Sequence, residues 1–402
     1  MSSWTPAVLS DVLVEARAGF ACGEDLEDGI FQFRMNNITP EGQLDLSRKR
    51  RIPRATRNIE KYFVEVGDVL FNATNSPDLV GKTAYFQGLD EPAVFSNHFL
   101  RLRPISDRLE GRFLCRWLNL QFKRGRFKGM CRQWVNQATV SRGALLAMHL
   151  PLPPLPEQRR IAEILDKADA LRAKRRTALA QLDTLTQSVF LDMFGDPASK
   201  GWAITDIAGV ASPVKGAIRT GPFGSQLLHS EFTERGIAVL GIDNVVTNEF
   251  RWDERRYITE AKYRQLRRYT VRSGDVLITI MGTCGRCAIV PEGIPLAINT
   301  KHLCCITLDP AKCLPAFLHA YFLRHPIARK YLNQTAKGAI MSGLNMGLIK
   351  QMPLPLPPLE LQREFTCRVT SVERVKTAHL ASLSKLDALF ATLQHRAFRG
   401  EL

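Results

Sequence analysis

A chain of 402 residues, 45% of them hydrophobic, holds enough apolar material for two cores of ordinary domain size. It has no uninterrupted apolar run long enough to cross a bilayer, and Met1-Ser2-Ser3-Trp4 lacks the charged-then-apolar layout of a secretory leader. Fifty-five Lys and Arg against 39 Asp and Glu leave a charge of +16, which favours a polyanionic partner without naming it, and nine cysteines read as thiols of a reducing, cytoplasmic compartment.

In chain order, the first 110 residues or so carry short runs of Val, Ile, Leu and Phe broken by Gly, Asn and Asp, the pattern of strands and turns. Strands are expected at Gly29–Phe33, Asp68–Phe71 and Ala93–Phe95. Phe113, Trp117, Leu118 and Phe122 then recur at helical spacing. Pro151, Pro153, Pro154 and Pro156 hold the following segment extended, so a helix starts only at Glu157, whose acid suits a first turn. From there no breaker intervenes as far as Phe194, some 57 Å of helix at about 1.5 Å per residue.

The chain then repeats itself. Leu152-Pro153-Pro154-Leu155 and Gln158-Arg159 return as Leu356-Pro357-Pro358-Leu359 and Gln362-Arg363, 204 positions later. Leu182-Asp183 returns as Leu386-Asp387, Phe194 as Phe398 and Phe113-Leu114 as Phe317-Leu318 at the same offset. Gly67-Asp68-Val69-Leu70 returns as Gly274-Asp275-Val276-Leu277, and Asn37 as Asn244, at 207. Trp4 and Trp202 open the copies, with extra residues of the second copy lying between Trp202 and Gly236. Strands are expected again at Ala238–Ile242, Asp275–Ile280 and Leu303–Thr307. Two copies are too few for a solenoid, so the fold is α+β: a tandem of mixed bodies, each followed by a long helix.

Along the first helix a four-three stripe reads Ile161, Ile164, Ala168, Leu171, Arg175, Ala178, Leu182, Leu185 and Val189. Its counterpart reads Phe365, Arg368, Val372, Val375, His379, Ser382, Leu386, Leu389 and Leu393. Apolar seams with a polar interruption at one shared slot, Arg175 and His379, predict pairing as an antiparallel coiled coil with pseudo-twofold symmetry. The same period would also serve two helices that each pack on their own body. Basic clusters (Arg48–Arg51, Lys123–Arg132, Arg172–Arg176, Arg264–Arg272), with Phe122, Phe127 and Trp134 interleaved in part of them, suit either a phosphate-facing surface or a solvated helix face.

Cys284, Cys287, Cys304 and Cys305, with His302, have a spacing that could hold zinc. The first copy has Pro77 and Val80 where the second has Cys284 and Cys287, so the repeat folds without ligands there and no metal is expected. No Asn/Asp-Pro-Pro-aromatic methylase motif, phosphate-binding Gly-x4-Gly-Lys loop or His-Glu-x-x-His motif occurs, and no catalytic residue is assigned.

The runs LPLPPLPEQRRIAEIL and PLPLPPLELQREF, the terminal AFRGEL, and TGPFGSQLL with GDVLITIMGTCGR in the second copy resemble the specificity subunit of a type I restriction-modification system. The second box departs at Glu360-Leu361, where the first has Pro156-Glu157. The resemblance implies target recognition domains at 1–155 and 197–358, and conserved spacer helices at 156–196 and 359–402. It implies a DNA-binding, non-catalytic subunit that reads a bipartite asymmetric site. Two methyltransferase subunits and restriction subunits would then be its partners, and S-adenosylmethionine, ATP and Mg²⁺ would act on those partners. The competing expectations are a DNA-processing enzyme, a nuclease or modification fusion with an unrecognised active site, or a basic adaptor for other polyanions.

Base reading calls for Arg, Lys, Asn or Gln at base edges, with Gly, Ser and Thr loops on phosphates. The expected DNA-binding residues are Asn36, Asn37, Asn72, Thr74, Asn75, Lys82 and Asn97 in the first copy. In the second they are Thr220, Gly221, Gly224, Ser225, Asn244, Gly282, Thr283, Arg286, Asn299 and Lys301. Asn just past a strand could equally cap a turn, and His98 and His302 are read as structural or phosphate-adjacent. The expected helix-packing residues are Ile161, Ile164, Leu171, Leu182, Leu185, Val189, Phe365, Val372, Val375, Leu386, Leu389 and Leu393.

Overall fold

The computed structural model describes residues 4–56, 58–134, 137–252, 255–337 and 344–402. They form two compact units, one from Met1–Arg176 with Ala381–Leu402, the other from Thr177–Leu380. Each long helix is therefore shared. Leu155–Phe194, the first rod, starts in the first unit, and Leu359–Ala397, the second rod, ends there.

In the first unit a four-stranded antiparallel sheet runs in the order Leu13–Ala18, Phe99–Pro104, Val69–Asn72 and Thr83–Tyr85. A smaller sheet places Ile30–Phe33 between Arg51–Ile52 and a parallel Ala93–Phe95. Phe71, Leu102 and Phe113 of the larger sheet and of helix Gly111–Lys123 share the main core, while Phe31, Phe33 and Phe95 form a second cluster. The second unit repeats this plan. Ile218–Thr220, Leu303–Ile306, Val276–Thr279 and Cys287–Ile289 form the larger sheet, and Ile237–Leu240 pairs in parallel with Ala297–Asn299 in the smaller. The two short strands Pro6–Val8 and Ile204–Asp206 close against His149–Pro151 and Pro353–Pro355, just ahead of each rod.

The repeated motifs acquire physical reasons here. Gly67 and Gly274 sit at φ +103° and +79°, a left-handed turn that favours glycine. The next residue ties that turn: Asp68 accepts the Glu65 N–H at 2.8 Å and Asp275 the Arg272 N–H at 2.9 Å. Each of these buried carboxylates is matched by a guanidinium, Arg103 on Asp68 and Arg219 on Asp275, each at 2.8 Å.

Gln158 explains the proline box. Its Oε1 accepts the Glu110 N–H at 2.9 Å, and its Nε2 donates to Arg108 O at 2.9 Å and Pro153 O at 2.8 Å. Gln362 does the same with Leu314 N–H (2.8 Å), Lys312 O (3.1 Å) and Pro357 O (2.9 Å). Every partner is displaced by 204, and both glutamines are fully buried. The extended proline segment and the turn before the body helix leave backbone groups that no helix or sheet satisfies, and one amide closes three of them, one on the proline side and two on the turn.

The rods pair antiparallel within each unit. In the first, Arg160 reaches Leu402 O at 2.8 Å and Arg172 reaches Asp387 at 2.6 Å; in the second, Asp183 meets Lys376 at 2.9 Å while Phe190 packs on Phe365 at 5.5 Å. The two ion pairs are one contact made twice, since 172 + 204 is 376 and 183 + 204 is 387. Each body helix also closes on a rod end: Phe113 on Phe398 at 5.2 Å, and Phe317 on Phe194 at 5.0 Å.

The expected seam needs correction. Ile161 and Phe365 are fully buried, and Ile164, Leu182, Val189, Val372, Leu386 and Leu393 are half-buried, but Leu171, Leu185, Val375 and Leu389 are exposed. The buried line runs one position later, through Leu165, Asp169, Arg172, Thr186 and Phe190 and through Val369, Lys376, Phe390 and Gln394, half-buried at Val369 and Lys376. Polar side chains can occupy it because they are partnered: Arg172 bonds Asp169 at 2.6 Å, Arg116 bonds Asp169 at 2.9 Å, and the Arg172 guanidinium lies over the Phe390 ring.

Candidate nucleic-acid interface

Strand register decides which loops share a surface. In the second unit Thr220 pairs with Cys304, Ile278 with Cys287, Thr279 with Leu303, and Leu240 with Asn299 in parallel. The loops that follow Thr220, Leu240, Thr279 and Asn299 therefore emerge at one end of the sheets. In the first unit the same register brings together the loops after Ala18, Phe33, Asn72 and Phe95, and Thr74–Asn75 extends there into a small sheet with Gln137–Thr139. The sequence-derived candidates thus fall on one end of each body.

Their side chains divide into two groups. Asn36, Asn97, Gly224, Ser225, Gly282, Thr283 and Arg286 are exposed, and Thr74, Thr220 and Lys301 half-exposed. Thr74 shares a hydroxyl contact with Thr139 at 3.1 Å. Gly221 is buried, and a Cβ on it would stand 2.0 Å from Asn299 O, so this loop lies directly on the 299–300 backbone.

Asn37, Asn72, Asn75, Lys82, Asn244 and Asn299 are buried, which corrects their expected base-reading role. Asn37 accepts the Arg34 N–H at 2.8 Å and donates to Asp45 O and Arg48 O, each at 2.8 Å. Asn244 does likewise with Gly241 N–H (2.8 Å) and Arg251 O (2.7 Å). Asn72 donates to Thr74 O and His98 O at 3.2 Å and accepts from Asn75 at 2.6 Å. Asn299 donates to Leu303 O at 2.9 Å. Lys82 donates to Met35 O at 2.9 Å and Ile38 O at 2.5 Å, and burial pushes its pKa down. A short amide beside a strand end satisfies loop backbone that would otherwise be stranded, so the turn-capping alternative is the one observed.

Each of these ends carries a histidine beside cations. His98 and His302, equivalent at 204, have pKa values lowered first by burial and then by nearby cations: Arg34 at His98, Lys301 and Arg256 at His302. Neutral imidazoles beside cations suit a surface that awaits negative charge. Arg34 and Arg256 carried no signal in the sequence, whereas the histidines recur in register. The cysteines are distributed otherwise: Cys287 and Cys304 lie in one core and Cys305 in another, its thiol donating to Asp275 at 3.1 Å, and burial raises Cys304 to about 12. Cys284 donates to Ile280 O at 3.2 Å.

The tandem α+β plan gives each body one polar loop end, and comparison with known proteins places it in a class. The model of the type I restriction modification DNA specificity domain matches residues 16–182 and 241–385, and the chain belongs to that family. It is 23% identical over 380 residues to a putative type I restriction enzyme MjaX specificity subunit of Methanocaldococcus jannaschii, covering 92% of this chain and 87% of that one. It is 27% identical to the EcoBI specificity subunit of Escherichia coli over 63% of this chain and 58% of the relative. Its fold is similar to that of the type I S subunit from M. genitalium, with a TM-score of 0.62, 14% identity and coverage of 98% and 96%. A chain from a study of complex assembly and conformational transition in the type I R-M system gives 0.58 at 18% identity, covering 100% and 99%. Among the described residues no helix is long and apolar enough to cross a membrane.

Proposed function

We propose that this chain is the DNA-recognition subunit of a type I restriction-modification complex, each unit reading one half of a bipartite, asymmetric site through the loop end of its sheets. The observation that carries this reading is the convergence, twice over, of polar loops on one end of a body, with Asn36 and Asn97 exposed and Thr74 half-exposed in the first, Ser225, Thr283 and Arg286 exposed and Thr220 and Lys301 half-exposed in the second, and buried amides holding the loops in shape. Phosphate contacts from the surrounding cations position the duplex, and the exposed polar side chains meet base edges. The rods set the spacing of the half-sites, and they dock two methyltransferase subunits and, through these, restriction subunits. The chemistry belongs to those partners: S-adenosylmethionine supplies the methyl group to adenine, and ATP and Mg²⁺ serve the restriction subunits, while this chain binds, orients and excludes.

Mapping of methylated adenines in cells with and without the chain tests the proposal. A bipartite motif disappears on deletion and returns on complementation; a methylation pattern indifferent to the deletion refutes it. Purified chain with duplex DNA, Mg²⁺ and S-adenosylmethionine shows no turnover until methyltransferase subunits are added, and turnover by the chain alone would make it an enzyme.

A further inference from the structure

The loop Gly221–Ser225 presents an aromatic ring that the fold leaves half exposed. Phe223 is 48% exposed, and among the described residues it joins none of the apolar clusters of the second unit. The loop beneath it is fixed. Gly221 is wedged against the Asn299–Thr300 backbone, Pro222 is buried, and the Phe223 N–H donates to Gln226 Oε1 at 3.3 Å. That oxygen also accepts the Tyr269 hydroxyl at 2.8 Å, and the Arg268 guanidinium lies 4.8 Å from the Tyr269 ring centre. Arg267 and Arg268 are exposed on this same turn.

An exposed aromatic side chain on a pinned loop, flanked by cations, at the end that faces DNA has the attributes of a base-stacking wedge. The ring has an apolar face to bury, the loop is tethered by its glycine and by Gln226, and the exposed guanidiniums supply charge suited to the phosphates beside an opened base step. We propose that Phe223 inserts into, or stacks on, a base step of the half-site read by the second unit, so that this half is recognised by its deformability as well as by its base edges. This rests on the DNA-recognition reading above.

The first unit supplies an internal control. Gly19 lies on the Phe95–Ser96 backbone as Gly221 lies on Asn299–Thr300, which aligns Phe20 with Pro222 and Ala21 with Phe223. Phe20 turns inward and packs on Tyr62 at 4.6 Å, and exposed Ala21 offers no ring. The wedge belongs to one half-site.

The test uses the full chain assembled with its methyltransferase subunits and duplexes carrying the mapped site, with 2-aminopurine placed in turn at each step of each half outside the methylated adenines. Binding by the wild type raises the fluorescence several-fold at one step of the second half and at none of the first. Phe223→Ala removes that signal and weakens binding about ten-fold, while Phe223→Trp retains both. Equal signal and affinity in wild type and Phe223→Ala would overturn the wedge, as would no unstacked step in a wild-type complex that binds its site. Unchanged DNA binding with loss of methyltransferase subunits in Phe223→Ala would assign the ring to a protein contact and also overturn it. Failure of the DNA-recognition reading looks different, because the wild-type complex then shows no site preference at all.

Discussion

Replacing Gln158 by Met keeps the volume of the side chain and removes its three hydrogen bonds. The residue is fully buried, so water does not replace the amide, and Glu110 N–H, Arg108 O and Pro153 O lose a partner together. At about 1 kcal/mol for each bond the loss is about 3 kcal/mol, and the expense of leaving buried groups unpaired pushes it upward. Tenfold in an opening equilibrium is about 1.4 kcal/mol, so amide exchange at Glu110 should quicken roughly 150-fold. Hydrogen exchange read by mass spectrometry over the Arg108–Arg112 peptide measures this. The peptide around Leu314, guarded by Gln362, should not change, and Gln362→Met should give the reverse pattern. A change of less than about three-fold at Glu110 would show that the recurring glutamine is dispensable to the joint and that its three bonds are made as well by solvent.

The two cross-rod ion pairs should differ in worth. Arg172 and Asp169 are almost fully buried, so Arg172→Met takes from Asp169 one of its two guanidiniums, leaving Arg116, and should lower stability by about 2 kcal/mol, whereas Lys376→Met, whose partners Asp183 and Glu249 are 63% and 57% exposed, should lose about 1 kcal/mol or less in denaturant titration. Removing one heptad from each rod, Ala178–Thr184 and Val375–Ala381, takes out about 10 Å of helix and should change the number of base pairs between the methylated half-sites, with the sequence of each half unaltered. In the second unit His319 and His325 are held below 6.5 by burial, against carbonyls that accept from His319 at 3.0 Å and from His325 at 3.1 Å. Below that pH the unfolded chain binds more protons than the folded one, so stability should fall as pH drops through 6.5 towards the folded values, by at most about 1.4 kcal/mol per pH unit and histidine. Denaturant midpoints at pH 7.5 and 5.5 check this, and His319→Gln should shrink the difference.

What the sequence determined by itself was periodic: the offset of 204, the strands that open on Gly-Asp-Val-Leu, and the long helix after each proline box, although the first starts at Leu155 with Pro156 in its first turn rather than at Glu157, since proline is tolerated there. Such features depend on neighbours along the chain, and turn chemistry or hydrophobic spacing reports them directly. The loops of the candidate interface were legible for the same reason, since Gly, Asn and Thr mark strand ends. Tertiary structure decided which side chains those loops show. Asn37 and Asn244 look like base readers in a string of letters, and only the folded backbone reveals the N–H and carbonyl groups that claim them. It also decided the face on which the rods meet. A pattern that counts polar residues as outward misplaces the seam by one position, because Asp169, Arg172 and Thr186 are buried with partners that lie elsewhere in the chain or a turn away, and Leu171 and Leu185 are left outside. Burial of a charge depends on its partners, and one partner of Arg172 is Asp387, 215 residues on.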